Sequence, residues 1–596
     1  MLRLPMPNLS RPEWALRRCD LCGAGNNTPA VAFNLLPIHP SPSAILAMKH
    51  TTIWLFLTVF VVVLGGALVG GWWWVKQTVD APFVERRINE ALAEAGSNYR
   101  ASVGEVTLSL FQRSVAVEDL ALIADSSAGE PRLTVVAPRL AISGIRITPY
   151  VFNRRIDLHN IELEGAELLY EAGESLPDST GGEGAPPDSL AETGTLTQRL
   201  ARQLPEIAIG QIALRDLTVV YQPAGDGRRQ RVAGIDIAMD DIAVDSTSAL
   251  DTTRVLFSRD IRLLLAPQAF AAPDSLHLFS VGAIEASTRD SFVRIDSFVV
   301  TPTVSEEEFS RRIAFRRDRM GSGIAGIRLE GLDVKTFLEG RAFRAGGLAI
   351  DSAFLDVYKN KQVAEDPNKT TPLLPHEALQ AIGIPVFLDS VAIRTADIVY
   401  RELEEDGALE GVVRFERVNL IGYRINSEPD TSLAGGGAAL LYARAIFQGA
   451  GQLLVAFELP LHGSTFAMRY HGTLSAMPAD PVSPLLTNLK GIRIQSGQVD
   501  SLAFDIRVTD AQADGEVRVG YHDLKMDFVD KTDRSKRFQD RLKTFFVNGL
   551  LIHDSNPAGP NDSLRVGTTA YVRDEDPFFR FLWRALRDGL KESVNR

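Results

Sequence analysis

The chain has 596 residues, of which 45% are hydrophobic and 23% charged, a balance that fits a folded chain and excludes wholesale disorder. Its formal net charge of −12 at pH 7 argues against nucleic acid as a partner. Its 2 cysteines, Cys19 and Cys22, both lie near the N-terminus, so neither disulfides nor thiol chemistry serves the chain beyond them.

Residues 1–50 show no hydrophobic period and read as an unstructured segment. Met48-Lys49-His50 resembles an ordinary start, and translation is expected to begin at Met48. The Cys19-x-x-Cys22 pair lacks the four ligands that zinc needs, with His39 as the one further candidate nearby, and it lacks a βαβ setting for redox work. Residues 51–76 are expected to form a transmembrane anchor. Thr51 to Val75 is free of charge and reaches roughly 35 Å as a helix, enough to cross a ~30 Å hydrocarbon core. Its apolar body is Leu55, Phe56, Leu57, Phe60, Val61, Val62, Val63, Leu64, Leu68 and Val69. Trp54 stands near one end and Trp72, Trp73 and Trp74 at the other, where indoles favour the headgroup layer. Arg3, Arg11, Arg17, Arg18 and Lys49 before it place the N-terminus in the cytoplasm and the main domain across the membrane.

After the anchor, Asp80 and Pro82 open a short helix with Phe83, Val84, Ile88 and Leu92 as its apolar stripe and Gly96 as its stop. Beyond it, period-two alternation dominates, as in Val115-Ala-Val-Glu-Asp-Leu-Ala-Leu, which buries one strand face and wets the other. A loose repeat recurs three times. Ile156, Leu158, Ile161 and Leu163 lead to Tyr170; Ile207, Ile209, Ile212 and Leu214 lead to Tyr221; Val386, Leu388, Val391 and Ile393 lead to Tyr400. The polar or small dipeptide in the middle of each copy shifts the alternation by one, as a bulge or tight bend would. Residues 174–195, rich in Gly, Pro and Ser, read as a disordered surface loop, and Tyr358 to Pro375 as a second polar loop. Ser305 and Glu308 suggest a capped helix, another helix is predicted over 535–546, and 574–596 reads as a C-terminal amphipathic helix with Phe579, Leu582, Trp583, Leu586 and Leu590 along one side. The fold class expected is mainly β: one transmembrane helix, then a long curved antiparallel-rich sheet in two halves, 77–350 and 351–573, with few helices.

No catalytic, cofactor or metal constellation stands out. Gly321-Ser-Gly-Ile-Ala-Gly matches a dinucleotide fingerprint by letter, but a strand follows it instead of a helix, so it reads as a flexible turn. His462 and His471 have no metal-ligand spacing, and the Asp-Ser pairs at 274, 290, 296 and 389 fit turn chemistry. Arg311, Arg312, Arg316, Arg317 and Arg319 form a basic group that reads as a solvated helix face, with lipid phosphate as the other reading.

The anchor, the short helix, Val103-Gly-Glu-Val-Thr-Leu-Ser-Leu-Phe, Val115-Ala-Val-Glu-Asp-Leu-Ala-Leu, Gly491-Ile-Arg-Ile-Gln-Ser-Gly and the terminal Phe578-Phe-Arg-Phe-Leu-Trp-Arg-Ala-Leu together resemble AsmA-like proteins of Gram-negative bacteria. The resemblance implies an inner-membrane protein with a periplasmic β-sheet whose apolar groove carries phospholipid or another acyl lipid in support of outer-membrane assembly. On that reading Ile156, Leu158, Ile161, Leu163, Ile207, Ile209, Ile212 and Leu214 belong to the groove face. Phe579, Leu582, Trp583 and Leu586 would either dock on a partner protein or second membrane, or pack back over the sheet. Alternation serves a dry core equally well, so an envelope scaffold without ligand stands as the alternative. With 25 to 35 strands, such a sheet would extend on the order of 120 to 170 Å.

Overall fold

Period-two segments become strands from Tyr99 to Val572, and the computed structural model is mainly β, with one large curved, antiparallel-rich sheet and few helices. It describes residues 80–94, 99–109, 112–124, 131–146, 149, 155–172, 206–224, 229–245, 247–248, 251–405, 410–429, 432, 437–463, 466–490, 492–528, 553–559 and 561–594. All of them belong to the unit Thr58–Arg596. The expected anchor at 51–76, both cysteines, the loop at 174–195 and the helix at 535–546 lie outside the described residues. Among the described residues no helix is long and apolar enough to cross a membrane.

Helix α1 (Ala81–Glu94) comes first, and Asp80 caps it by accepting from the Phe83 N–H at 3.0 Å. Val84, Ile88 and Leu92 are its buried stripe, as their spacing predicts. Its polar side chains close the first sheet edge. Asn89 accepts from the Ala101 N–H and donates to the Ala101 carbonyl, while Glu85 accepts from the Val103 N–H. Along that edge β1 (Tyr99–Ser102) and β2 (Glu105–Ser109) lie end to end beside β3 (Ser114–Ala124).

Each later strand joins its predecessor. β4 (Arg132–Ser143) is followed by β5 (Ile156–Glu164) and β6 (Glu167–Glu171) as two halves, then β7 (Ile207–Gln222) and β8 (Gln230–Val244). β9 (Asp260–Leu265) and β10 (Gln268–Ala271) pair respectively with β12 (Ile284–Ser287) and β11 (His277–Val281), and both of these pair with β13 (Phe292–Pro302). There follow β14 (Arg319–Glu330), β15 (Phe343–Asn360), β16 (Val386–Leu403), β17 (Glu410–Asn426), β18 (Ala439–Phe447) and β19 (Gly451–Leu459). β20 (Ala467–Leu474) and β21 (Met477–Pro478) lie end to end along one side of β22 (Ile492–Thr509), whose other side pairs with β23 (Gln512–Phe528), followed by β24 (Val566–Val572). The 24 described strands form one sheet that runs unbroken through residues 350 and 351, which lie inside β15. Several are halves set end to end, so the ladder extends roughly 85 Å at ~4.8 Å per strand, less than the strand count alone suggests.

The sequence repeat marks the parallel joints. Its first two copies lie side by side in register, with Ile156 opposite Ile207, Leu158 opposite Ile209, Ile161 opposite Ile212 and Leu163 opposite Leu214. Tyr170 and Tyr221 end the pair as stacked rings 6.0 Å apart. The third copy begins β16, which runs parallel to β15, Phe343 opposite Val386 and Val357 opposite Tyr400. β15 is itself a fourth copy that sequence reading misses, because Gly346-Gly347 fills its middle and Val357 stands where the others have Tyr. Parallel neighbours need a long crossover, and residues 361–385, including helix α4 (Pro375–Gln380), supply the second one.

The expected phase shift is present. In β3, Val117 and Leu120 are both buried across left-handed Asp119 (φ 53°), and β5 buries Leu158 and Ile161 with the slip between them. At the matching point of β7, a Cβ on Gly210 would stand 2.6 Å from the His159 carbonyl oxygen, so only glycine fits.

Two expectations are corrected. Gly321 to Gly326 is the interior of β14, not a turn: a Cβ on Gly323 would meet the Phe354 ring at 2.3 Å, and Gly326 is left-handed (φ 64°). The polar loop expected from Tyr358 starts later, since β15 continues to Asn360 and Tyr358 is buried. Helix α2 (Glu306–Arg312) has the predicted cap, with Ser305 accepting from the Glu308 N–H, and α3 (Val334–Leu338) and α5 (Ser483–Lys490) are two further short helices. Asp274-Ser275 and Asp290-Ser291 form turns, whereas Asp296-Ser297 and Asp389-Ser390 lie inside β13 and β16.

Helix α6 (Phe578–Val594) closes the other end of the sheet. Ser593 Oγ accepts from the Gly567 N–H at 2.9 Å and Glu592 accepts from the Thr568 N–H, so the helix end blocks the edge of β24.

Candidate functional site

Cross-strand register places apolar side chains opposite one another over most of the sheet. One row passes from Val106 through Val117, Leu140, Leu163 and Leu214 to Ile237. It continues through Leu263, Ala286, Val293, Leu329, Leu348 and Val391 to Gly422, Leu441, Phe457, Tyr470 and Ile506. A second row, two residues away on the same face, runs Leu217, Ile235, Leu265, Ile284, Ile295, Ile327, Ile350, Ile393, Leu420, Ala443, Val455. Together they make an apolar ribbon two side chains wide from β8 to β19. No side chain in either row donates or accepts a hydrogen bond until Tyr470.

The opposite face is different in kind. Its central row is Asp236, Leu264, Glu285, Arg294, Arg328 and Ala349, with Glu285 and Arg294 paired at 3.5 Å and Arg328 bidentate to Asp351 at 2.7 Å. Farther on that face turns apolar, with Ile421, Tyr423 and Tyr442 exposed over β17 and β18. A recess of ≈ 360 Å³ touches the ribbon at Leu265 and Ile284 but is lined also by Asp236, Glu285, Arg294 and Asp296 from the polar side.

Exposure along the ribbon changes in three steps. At its start Val117, Leu140 and Leu163 are buried. From Ile237 to Phe457 the ribbon is half-buried, apart from Gly422, and among the described residues no helix makes an extended contact with β8–β14. At its end Tyr470 and Ile506 are buried again, in a cluster with Phe466, Met468, Phe504, Val508 and Val517. Helix α6 lies over this cluster, placing Phe581, Leu582 and Ala585 in it, and the Tyr470 hydroxyl donates to the Leu582 carbonyl at 2.9 Å. Burial pushes the Tyr470 pKa up, which keeps the hydroxyl a donor. The crossover joins the same cluster through Leu374, and His376 stacks on Phe466 at 5.3 Å.

Of the sequence-predicted groove residues, Ile156, Leu158, Ile161, Leu163, Ile207, Ile209 and Ile212 come together on β5 and β7 and are buried, while Leu214 is half-buried. They form the closed start of the ribbon. Its middle takes Val391 and Ile393 from the third repeat copy and otherwise comes from strands outside the repeat, although the alternation of Ile327-Arg-Leu and Leu348-Ala-Ile is legible. Of the predicted docking residues, Leu582 and Leu586 pack inward, whereas Phe579 is 77% exposed and Trp583 43% exposed. The inner stripe is therefore Phe578, Phe581, Leu582, Ala585, Leu586 and Gly589, offset from the stripe that spacing suggested.

The basic group is committed to protein partners. Arg311 and Arg312 pair with Glu308, Arg317 with Asp274, and Arg316 with Glu405 and the crossover carbonyls of Lys361 and Val363. At the far end of β16, Lys361 bridges Glu402 (2.6 Å) and Glu404 (2.8 Å), and Tyr400 donates to Glu402 at 2.6 Å. Burial alone would raise the Glu402 pKa, but the hydrogen bonds from Lys361 and Tyr400 outweigh it and hold the carboxyl below its ordinary value. Among the described residues no group of three or more His, Cys, Asp or Glu side chains is placed to hold a metal ion.

No protein-family model matches the chain, and no curated protein matches it. The fold and the ribbon themselves define the class: a mainly β protein with one long curved sheet and a continuous apolar track on one face.

Proposed function

We propose that the protein is a lipid-binding and lipid-transport protein, in which the curved sheet forms a groove and the apolar ribbon receives acyl chains. The half-buried ribbon from β8 to β16, along which no described helix makes an extended contact, carries this reading. Two rows of aliphatic side chains without hydrogen-bonding groups suit a hydrocarbon and give nothing to a polar ligand. Each methylene removed from water there contributes about 0.8 kcal/mol. The charged opposite face of β8–β14 supports the same reading, since a dry scaffold core has no need to leave this one face half open. The resemblance to AsmA-like proteins and the uncharged segment at 51–76 extend the reading: a single-pass inner-membrane protein with a cytoplasmic N-terminus and a periplasmic groove, serving outer-membrane assembly and envelope integrity, alone or with a protein partner.

The scaffold reading draws on the two buried ends of the sheet. One experiment separates the two. Residues 77–596 are expressed without the anchor, purified without detergent, and the organic extract is analysed by mass spectrometry. Stoichiometric phospholipid is the expected result; a lipid-free, stable and monodisperse protein would reverse the order of the two readings.

A further inference from the structure

The apolar track has ends. Val117, Leu140 and Leu163 are 4, 7 and 5% exposed at the β3–β5 end. At the other end Ile506 is 0% exposed beneath Phe581 of α6, itself 0% exposed, with the Tyr470–Leu582 hydrogen bond holding the helix on the sheet. Part of each sheet edge is also capped: α1 side chains take backbone groups at Ala101 and Val103, and the end of α6 takes those at Gly567 and Thr568. No strand of a second molecule can extend the ribbon by pairing at these positions. Between the ends, among the described residues, no helix makes an extended contact with β8–β16, whereas α5 reaches β17 and Val455 and Phe457 of β19 already pack against the closing cluster.

From these observations we propose that the cargo site is bounded: acyl chains occupy the β8–β16 section alone, entering and leaving through its face, so that the protein carries a limited load and is not a conduit running the length of the sheet. This rests on the lipid reading above and deepens it. The occupant follows from the lining, which from Ile235 to Ile393 is leucine or isoleucine throughout the second row. This section spans about 30 Å at ~4.8 Å per strand, beyond the ~15 Å hydrocarbon depth of one bilayer leaflet. Acyl chains therefore fit without displacing either end. Helix α6, with an apolar stripe already on this face, occupies the position a travelling chain would need to pass.

The test uses the full chain and phosphatidylethanolamine carrying a diazirine on one acyl chain. After loading and irradiation, adducts are mapped by peptide mass spectrometry, and bound lipid is counted as the lipid-to-protein ratio rises. Adducts confined to β8–β16, at positions such as Ile327 and Ile350, with lipid reaching a plateau, are the expected result. Adducts on Leu140, Ile506 or Phe581 as well would overturn the bounded site while leaving a lipid groove in place. An absence of adducts anywhere on the ribbon would remove both.

Discussion

Gly589 shows how tightly the C-terminal closure is built. A Cβ there would lie 2.4 Å from Val517 Cγ2, so the helix touches the sheet where glycine alone fits. Gly589→Val is expected to cost about 1–3 kcal/mol through overpacking, read as a lower denaturation midpoint. Glu402 makes a pH-dependent contribution. Its folded pKa lies below the ordinary 4.5, so its stabilisation is complete above that pH and is lost as pH falls through the folded value. Lys361 is raised above 10.5 despite burial, by hydrogen bonds with Glu402 and Glu404, so its share is complete below 10.5 and lost at higher pH. Glu402→Gln should therefore lower the urea midpoint at pH 7, and the gap from the unmodified protein should narrow as pH falls below 4.5 through the folded pKa. A gap that does not change with pH would show that charge pairing plays no part.

At the scale of elements, α6 faces two ways. Phe581, Leu582 and Ala585 fill the cluster over β20, β22 and β23, while Phe579 and Trp583 point outward. Truncation before Asp574 uncovers Tyr470, Phe504, Ile506 and Val517, and is expected to produce aggregation by size-exclusion chromatography. Phe579→Glu, at a 77% exposed position, should change stability by no more than about 0.5 kcal/mol. A truncated protein that stays monomeric would mean that the cluster closes without the helix. The crossover at 361–385 is a second element whose role depends on contacts: it brings Leu374 and His376 to the cluster from a segment that reads as polar loop.

Over the whole molecule, the same apolar row has different consequences at different places. Leu163 is 5% exposed, and Leu163→Asp buries a carboxylate with no partner, which should unfold the protein by circular dichroism. Ile327 is half-buried on the open section, where a carboxylate can reach water. Ile327→Asp is expected to keep the fold and to lower co-purified phospholipid several-fold, measured in the organic extract. Equal loss of folding in both variants would mean that the ribbon is packed shut throughout.

Much of this was legible in the sequence because it is local. Alternation at i and i+2 specifies which strand faces are apolar, Asp80 and Ser305 announce their helix caps, and the slipped repeat around His159 and Gly210 foretells a kink. Even the parallel joints left a trace, since strands that pair in register carry the same pattern. What the sequence leaves open is non-local. Gly321 to Gly326 reads as a turn until the Phe354 ring is seen lying against it from the next strand. The stripe of α6 depends on where the sheet stands, which spacing along one helix does not encode. Whether an apolar face is covered or open is a property of what packs over it, so the buried ends and half-open middle of one continuous ribbon were decided by tertiary structure alone.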